Sequence, residues 1–85
     1  MASYRLLIKP SAGKELLALP ARDRKRIAAK LQLLASEPRP PGTEKLSGQE
    51  KYRLRQGDYR VLYSVDDDEA AVVIVKIGHH RDVYR

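Results

Sequence analysis

Three arginines crowd one short stretch of this 85-residue chain: Arg53, Arg55 and Arg60, within Tyr52-Arg53-Leu54-Arg55-Gln56-Gly57-Asp58-Tyr59-Arg60-Val61-Leu62-Tyr63. A guanidinium is planar, carries five N–H donors and stays protonated. A cluster of them therefore grips phosphate or carboxylate oxygens and steadies negative charge that builds there during a reaction. The residue pattern reads as a β-hairpin, and the face each arginine occupies depends on register. With Gln56-Gly57 as a two-residue loop, Arg55 faces Asp58 and Arg53 lies directly opposite Arg60. Arg53, Arg55 and Arg60 then share one face, with Leu54 and Tyr59 on the other. Like charges directly opposite in a sheet destabilise it unless a polyanion neutralises them. One extra loop residue would flip this parity. The alternative is three solvated arginines whose stems cover apolar surface.

A second cluster closes the chain: Gly78-His79-His80-Arg81-Asp82-Val83-Tyr84-Arg85. His80 can transfer a proton near neutral pH, Arg81 supplies a cation, and Tyr84 can stack on a base or donate to a phosphate. The alternative is an ordinary exposed tail after a final strand. No metal or cofactor is expected. Cys is absent, and the adjacent His79 and His80 of an extended strand point to opposite faces. The run Asp66-Asp67-Asp68-Glu69 reads as a tight, soluble turn; consecutive acids without other ligands make a weak cation site.

Lys plus Arg number 17 against 11 acids, a net charge of +6. This balance points to a polyanionic partner, either nucleic acid or an acidic protein segment. No stretch approaches a membrane span, and the N-terminus leads directly into a strand pattern without a signal-peptide core. A soluble cytoplasmic protein with one domain, residues 1–85, is expected.

The elements that must position these groups follow from periodicity. Tyr4 to Lys9 alternates as a strand, with Tyr4, Leu6 and Ile8 on one face and Arg5, Leu7 and Lys9 on the other. Pro10-Ser11 breaks it, with Ser11 as N-cap of a short helix to about Leu17. A second helix runs from about Ala21 to Ser36, where Ile27, Leu31 and Leu34 form the buried stripe. Its basic side, Arg22, Lys25, Arg26 and Lys30, reads as a solvated face rather than a nucleic-acid-binding one. Glu37-Pro38 stops the helix. Arg39-Pro40-Pro41-Gly42 is a stiff connection, and Leu46-Ser47-Gly48 a loop with one anchoring Leu. Three antiparallel strands follow: Tyr52 to Arg55, Tyr59 to Val65 and Ala71 to Ile77. The fold class is α+β, ordered β-α-α-β-β-β. Two N-terminal helices pack on one face of a small, twisted, mainly antiparallel sheet, leaving the other face free for a site.

Lys14-Glu15-Leu16 with Leu19-Pro20, Lys45-Leu46 with Gly48, Tyr52-Arg53-Leu54-Arg55, Gly57-Asp58-Tyr59-Arg60-Val61-Leu62-Tyr63, and Gly78-His79 through Val83-Tyr84-Arg85 together resemble the RelE toxin family, from about Tyr4 to Arg85. The resemblance implies a toxin that cuts mRNA in the ribosomal decoding site. The RNA's own 2′-hydroxyl attacks the adjacent phosphorus, leaving a 2′,3′-cyclic phosphate and a 5′-hydroxyl. It also implies a cognate antitoxin that screens the basic face and through which the pair binds operator DNA. Matched residue by residue, the family's catalytic positions fall on Arg53, Arg55, Arg60 and Tyr84, with His80 at the place of a C-terminal Arg and Arg81 beside it. Several relatives carry Lys at the first-strand positions. Arg is a good phosphate clamp but a poor base, so the base is sought among His80, His79 and Glu50, in that order. The rival functions are a ParE-type poison of DNA gyrase, similar in fold, and an inactive relic that keeps only antitoxin binding.

Overall fold

The computed structural model describes residues 3–46 and 51–81. Seven elements succeed one another: β1 (Arg5–Ile8), α1 (Pro10–Leu17), α2 (Ala21–Ser36), β2 (Thr43–Lys45), β3 (Lys51–Gln56), β4 (Tyr59–Asp66) and β5 (Ala71–His79). The strands form one sheet in the order β1-β5-β4-β3-β2. All neighbours are antiparallel except β1 and β5, which run parallel. The expected α+β arrangement of two helices on a mainly antiparallel sheet is what is found, with one strand more than the periodicity shows.

Local chemistry explains most boundaries. Pro10 opens α1 at its first turn, where its missing N–H costs nothing, and Lys9 takes the N-cap position without a side-chain bond. Ser11, expected as the cap, lies inside the helix instead. Pro20, at φ −54° and ψ 147°, separates the helices and caps α2. Glu37 leaves the helical region at φ −139°, as a residue before proline must. Ile27, Leu31 and Leu34 of α2 are fully or almost fully buried, at 0%, 2% and 0% exposure. They meet Tyr52, Leu54, Val61, Tyr63, Val65, Val72, Ile74 and Ile77 from the sheet. The alternation of β3 and β4 supplies these apolar residues to the helix-covered face and sends the arginines to the other.

β1 ends at Ile8 while β5 runs on to His79, so the far half of β5 has no strand on that side. Glu15 of α1 fills the gap. Its Oε1 accepts from the Ile77 backbone N–H at 3.1 Å, and its Oε2 lies 3.3 Å from Lys76 Nζ. A donor that would otherwise face the helix unpaired is thereby satisfied.

Two turns connect the meander. Gly57 and Asp58 form the β3–β4 loop, with Gly57 at φ 59°, a value that favours glycine. The turn after Asp66 ends on Ala70 at φ 50°, an unusual conformation for a residue with a Cβ.

Candidate active site

The hairpin register differs from the expected one. The loop is Gly57-Asp58, not Gln56-Gly57, so Gln56 pairs with Tyr59, Arg55 with Arg60, and Arg53 with Leu62. Arg55 does not face Asp58, and Arg53 does not face Arg60. The slip is two residues, which preserves parity, so the three arginines still share the open face. The like-charged opposed pair is Arg55 with Arg60.

Arg53, Arg55 and Arg60 line a groove of about 450 Å³ together with Gly42 and Glu44. Arg60 is held at the loop: its Nη1 donates to the carbonyls of Tyr59 at 3.0 Å and Gly57 at 3.3 Å. Arg55 is exposed and makes no hydrogen bond or ion pair with a described residue. Arg53 bonds the Glu44 carboxylate through Nη2. Glu44 sits there because β2 pairs with β3 in a register that opposes Glu44 to Arg53. The sequence reading misses both β2 and Glu44. Three residues are too short for a period to show, and the preceding prolines mark the segment as a connection.

A clasp beyond the groove fixes the connection that leads to β2. The Arg39 guanidinium meets both carboxylate oxygens of Asp67, at 3.2 and 2.9 Å, and its Nε donates to Tyr52 Oη at 2.8 Å. Tyr4 Oη donates to Asp67 Oδ1 at 2.7 Å. Tyr63, stacked on Tyr52 at 5.6 Å, donates its hydroxyl to the Pro38 carbonyl at 2.8 Å. Bonds from Arg39 and Tyr4 hold the Asp67 carboxyl below the ordinary carboxylate range. The Tyr4 phenol is raised by its bond to that carboxylate, and burial raises Tyr63. Asp66 caps its own turn, its Oδ1 accepting from the Glu69 N–H at 3.1 Å. Half of the acidic run is thus committed to structure.

The end of β5 reaches the same hairpin. Gly78 lies opposite Arg60, and the His80 N–H donates to the Asp58 carbonyl at 2.8 Å. His80 Nδ1 lies 3.3 Å from that carbonyl, which can only accept. In the tautomer with the proton on Nδ1 that carbonyl accepts it, which leaves Nε2 as the second ring nitrogen. The ring of His79 stands 4.4 Å from that of His80, and its Nδ1 accepts from the Arg81 N–H at 3.2 Å. Arg60 and His80 thus bond neighbouring carbonyls of one turn, though neither His80 nor Arg81 lines the groove. Tyr84 and Glu50 lie outside the described residues. The helical basic residues Arg22, Lys25 and Arg26 are exposed. No helix of the described residues is long and apolar enough to cross a membrane.

This arrangement can hold a phosphodiester on fixed cations and place an imidazole at one end of it. Comparison with known proteins gives it a context. The family model for the ParE toxin of the type II toxin–antitoxin system parDE matches residues 6–84. Toxin RelG of Mycobacterium tuberculosis is 44% identical over 34 residues, a stretch spanning 40% of this chain and 39% of RelG. The toxin–antitoxin complex RelBE2 of Mycobacterium tuberculosis contains a chain similar to this one at TM-score 0.79 and 27% identity, covering 92% of this chain and 99% of that one. The archaeal RelE–RelB complex of Pyrococcus horikoshii OT3 gives TM-score 0.81 and 30% identity, over 95% and 99% of the two chains.

Proposed function

The chain belongs to the RelE/ParE family of type II toxins, and we propose that it is a ribosome-dependent endoribonuclease that cuts mRNA and so stops translation. The observation that carries this reading is the groove lined by Arg53, Arg55 and Arg60 on the open face of the sheet. Attack of a 2′-hydroxyl on the adjacent phosphorus adds negative charge to the phosphoryl oxygens. Cations fixed in advance stabilise that charge more than they stabilise the ground state. Arg55 and Arg60 clamp the phosphate in this reading, and Arg53 extends the cationic floor. His80, through Nε2, serves proton transfer at the hairpin end, with Arg81 beside it as a further cation. Tyr84 is assigned to the nucleotide next to the cut through the resemblance alone. The nucleophile is internal to the RNA, so the reaction calls for no metal-bound water and no cofactor.

The partners follow from the same reading. They are mRNA in the ribosome, a cognate antitoxin like those in complex with the RelE relatives, and operator DNA reached through that antitoxin, all in the cytoplasm. The test is to add the purified protein to a translating extract and map cleaved mRNA ends. Cuts at ribosome-occupied codons, lost with Arg60→Ala, are expected. Intact message under wild-type protein would remove the assignment. A second reading, a gyrase poison of the ParE kind, draws on the family model that matches residues 6–84. Accumulation of gyrase–DNA complexes with uncut message would select it.

A further inference from the structure

Resting on the endoribonuclease reading, we propose that His79 is a positioning residue, its ring the platform that aims the His80 imidazole at the leaving 5′-oxygen. Adjacent histidines in an extended strand would point to opposite faces. The strand ends at His79, however, and the chain turns at His80, so the second ring folds back over the first. Their centroids stand 4.4 Å apart, with the planes 34° from parallel.

The platform is itself anchored. His79 pairs with Tyr59 across β4 and β5, and the two rings meet edge to face at 5.8 Å and 80°. Tyr59 packs in turn against the hydrophobic core. Support thus runs from the core through Tyr59 and His79 to His80. His79 Nδ1 accepts from the Arg81 N–H at 3.2 Å, which ties down the ring's other edge. That bond needs Nδ1 without a proton, so the ring against which His80 lies is neutral and does not repel it when His80 is charged.

The Asp58 carbonyl holds His80 from the hairpin, with the backbone N–H at 2.8 Å and Nδ1 at 3.3 Å. A contact at one corner of an imidazole leaves the ring free to turn, because its outer torsion is broad. A second ring against its face removes that freedom. Aim matters here, since a proton donor must come within about 2.6–3.2 Å of the oxygen that takes the proton. In the step served, the 2′-oxygen bonds to phosphorus and its proton passes to the solvent. The bond from phosphorus to the 5′-oxygen breaks, and charged His80 gives that oxygen its Nε2 proton. A 2′,3′-cyclic phosphate and a 5′-hydroxyl result. His79 touches none of the reacting atoms and acts through His80.

The experiment is single-turnover cleavage of mRNA on programmed ribosomes by wild type, His79→Ala, His79→Phe, His80→Ala and the double alanine variant, each checked for folding by thermal melt. Two messages are compared, one with the natural 5′-oxygen at the cut and one with sulfur there, which leaves without needing a proton. His79→Ala is expected to slow cleavage of the natural message by about 10-fold or more and to cut the sulfur message at the wild-type rate. His79→Phe keeps a flat ring in place and should recover most of the loss. Adding His79→Ala to His80→Ala should cost nothing further. If His79→Ala melts below the assay temperature, His79→Leu, which keeps bulk without a ring, takes its place. A wild-type rate from His79→Ala or from His80→Ala on the natural message would overturn the proposal while leaving the nuclease intact. So would equal slowing on both messages, additive losses in the double variant, or a His79→Phe as slow as His79→Ala. Failure of the wild type to cut ribosome-bound mRNA would instead remove the underlying reading.

Discussion

Arg60 works from a pinned position. Its bonds to the carbonyls of Gly57 and Tyr59 restrict a long side chain before any substrate arrives, so less freedom is lost on binding. Arg60→Ala should leave the thermal melt unchanged within a few degrees. It should lower ribosome-dependent cleavage by roughly 100- to 1,000-fold, the usual effect of removing one preorganised charge-stabilising donor. Growth arrest by a well-expressed Arg60→Ala protein would contradict this. At this scale the three arginines were legible, because strand parity survives a two-residue error in the loop. The place of Glu44 in the groove was not, since it arises from a strand pairing that leaves no periodic trace.

At the scale of elements, the turns carry the sharpest constraints. Gly57 is matched to its φ of 59°, but Ala70 is not matched to its φ of 50°. A left-handed conformation costs a residue with a Cβ about 1–2 kcal/mol, while glycine's extra freedom in the unfolded chain returns about 0.5–1 kcal/mol of that. Ala70→Gly should therefore stabilise the protein by about 0.5–1 kcal/mol, a rise of roughly 3–6 °C in melting temperature for a domain of this size. A lower melting temperature would mean that the turn does not carry the strain its backbone indicates. The two helices were readable almost to the residue, because proline punctuates both ends of α2 and the Ile27–Leu31–Leu34 stripe has a clear period. The start of α1 lies two residues earlier than the sequence places it, with Lys9 rather than Ser11 at the N-cap, since Pro10 serves both as strand breaker and as helix opener.

Across the whole molecule, the Asp67 carboxylate ties β1 to the α2–β2 connection through Tyr4 and Arg39. Its acidity is strengthened on folding, so its contribution is complete above the ordinary carboxylate range. That contribution fades as pH falls through the lower folded value. Asp67→Asn should melt at a lower temperature than wild type at pH 7, and the two curves should converge in acid. A gap of constant size down to the acid transition would show that the charge of Asp67 is not what the clasp uses. None of this was visible in the acidic run itself, which reads only as a soluble turn. A pairing over such a distance has no local signature.

The placement of β1 beside β5 also sets an order of events. Tyr4 and Asp67 stand 63 positions apart along the chain, and β1 pairs with the strand that follows Asp67. The β3–β4–β5 meander can form from neighbours, whereas β1 must wait for the largest loop in the molecule to close. Refolding followed by pulsed amide labelling should therefore protect Leu54 and Val61 before Arg5 and Lys9; simultaneous protection would contradict the sequence of steps. On the ribosome that makes it, the nascent protein cannot complete its core until β5 has emerged.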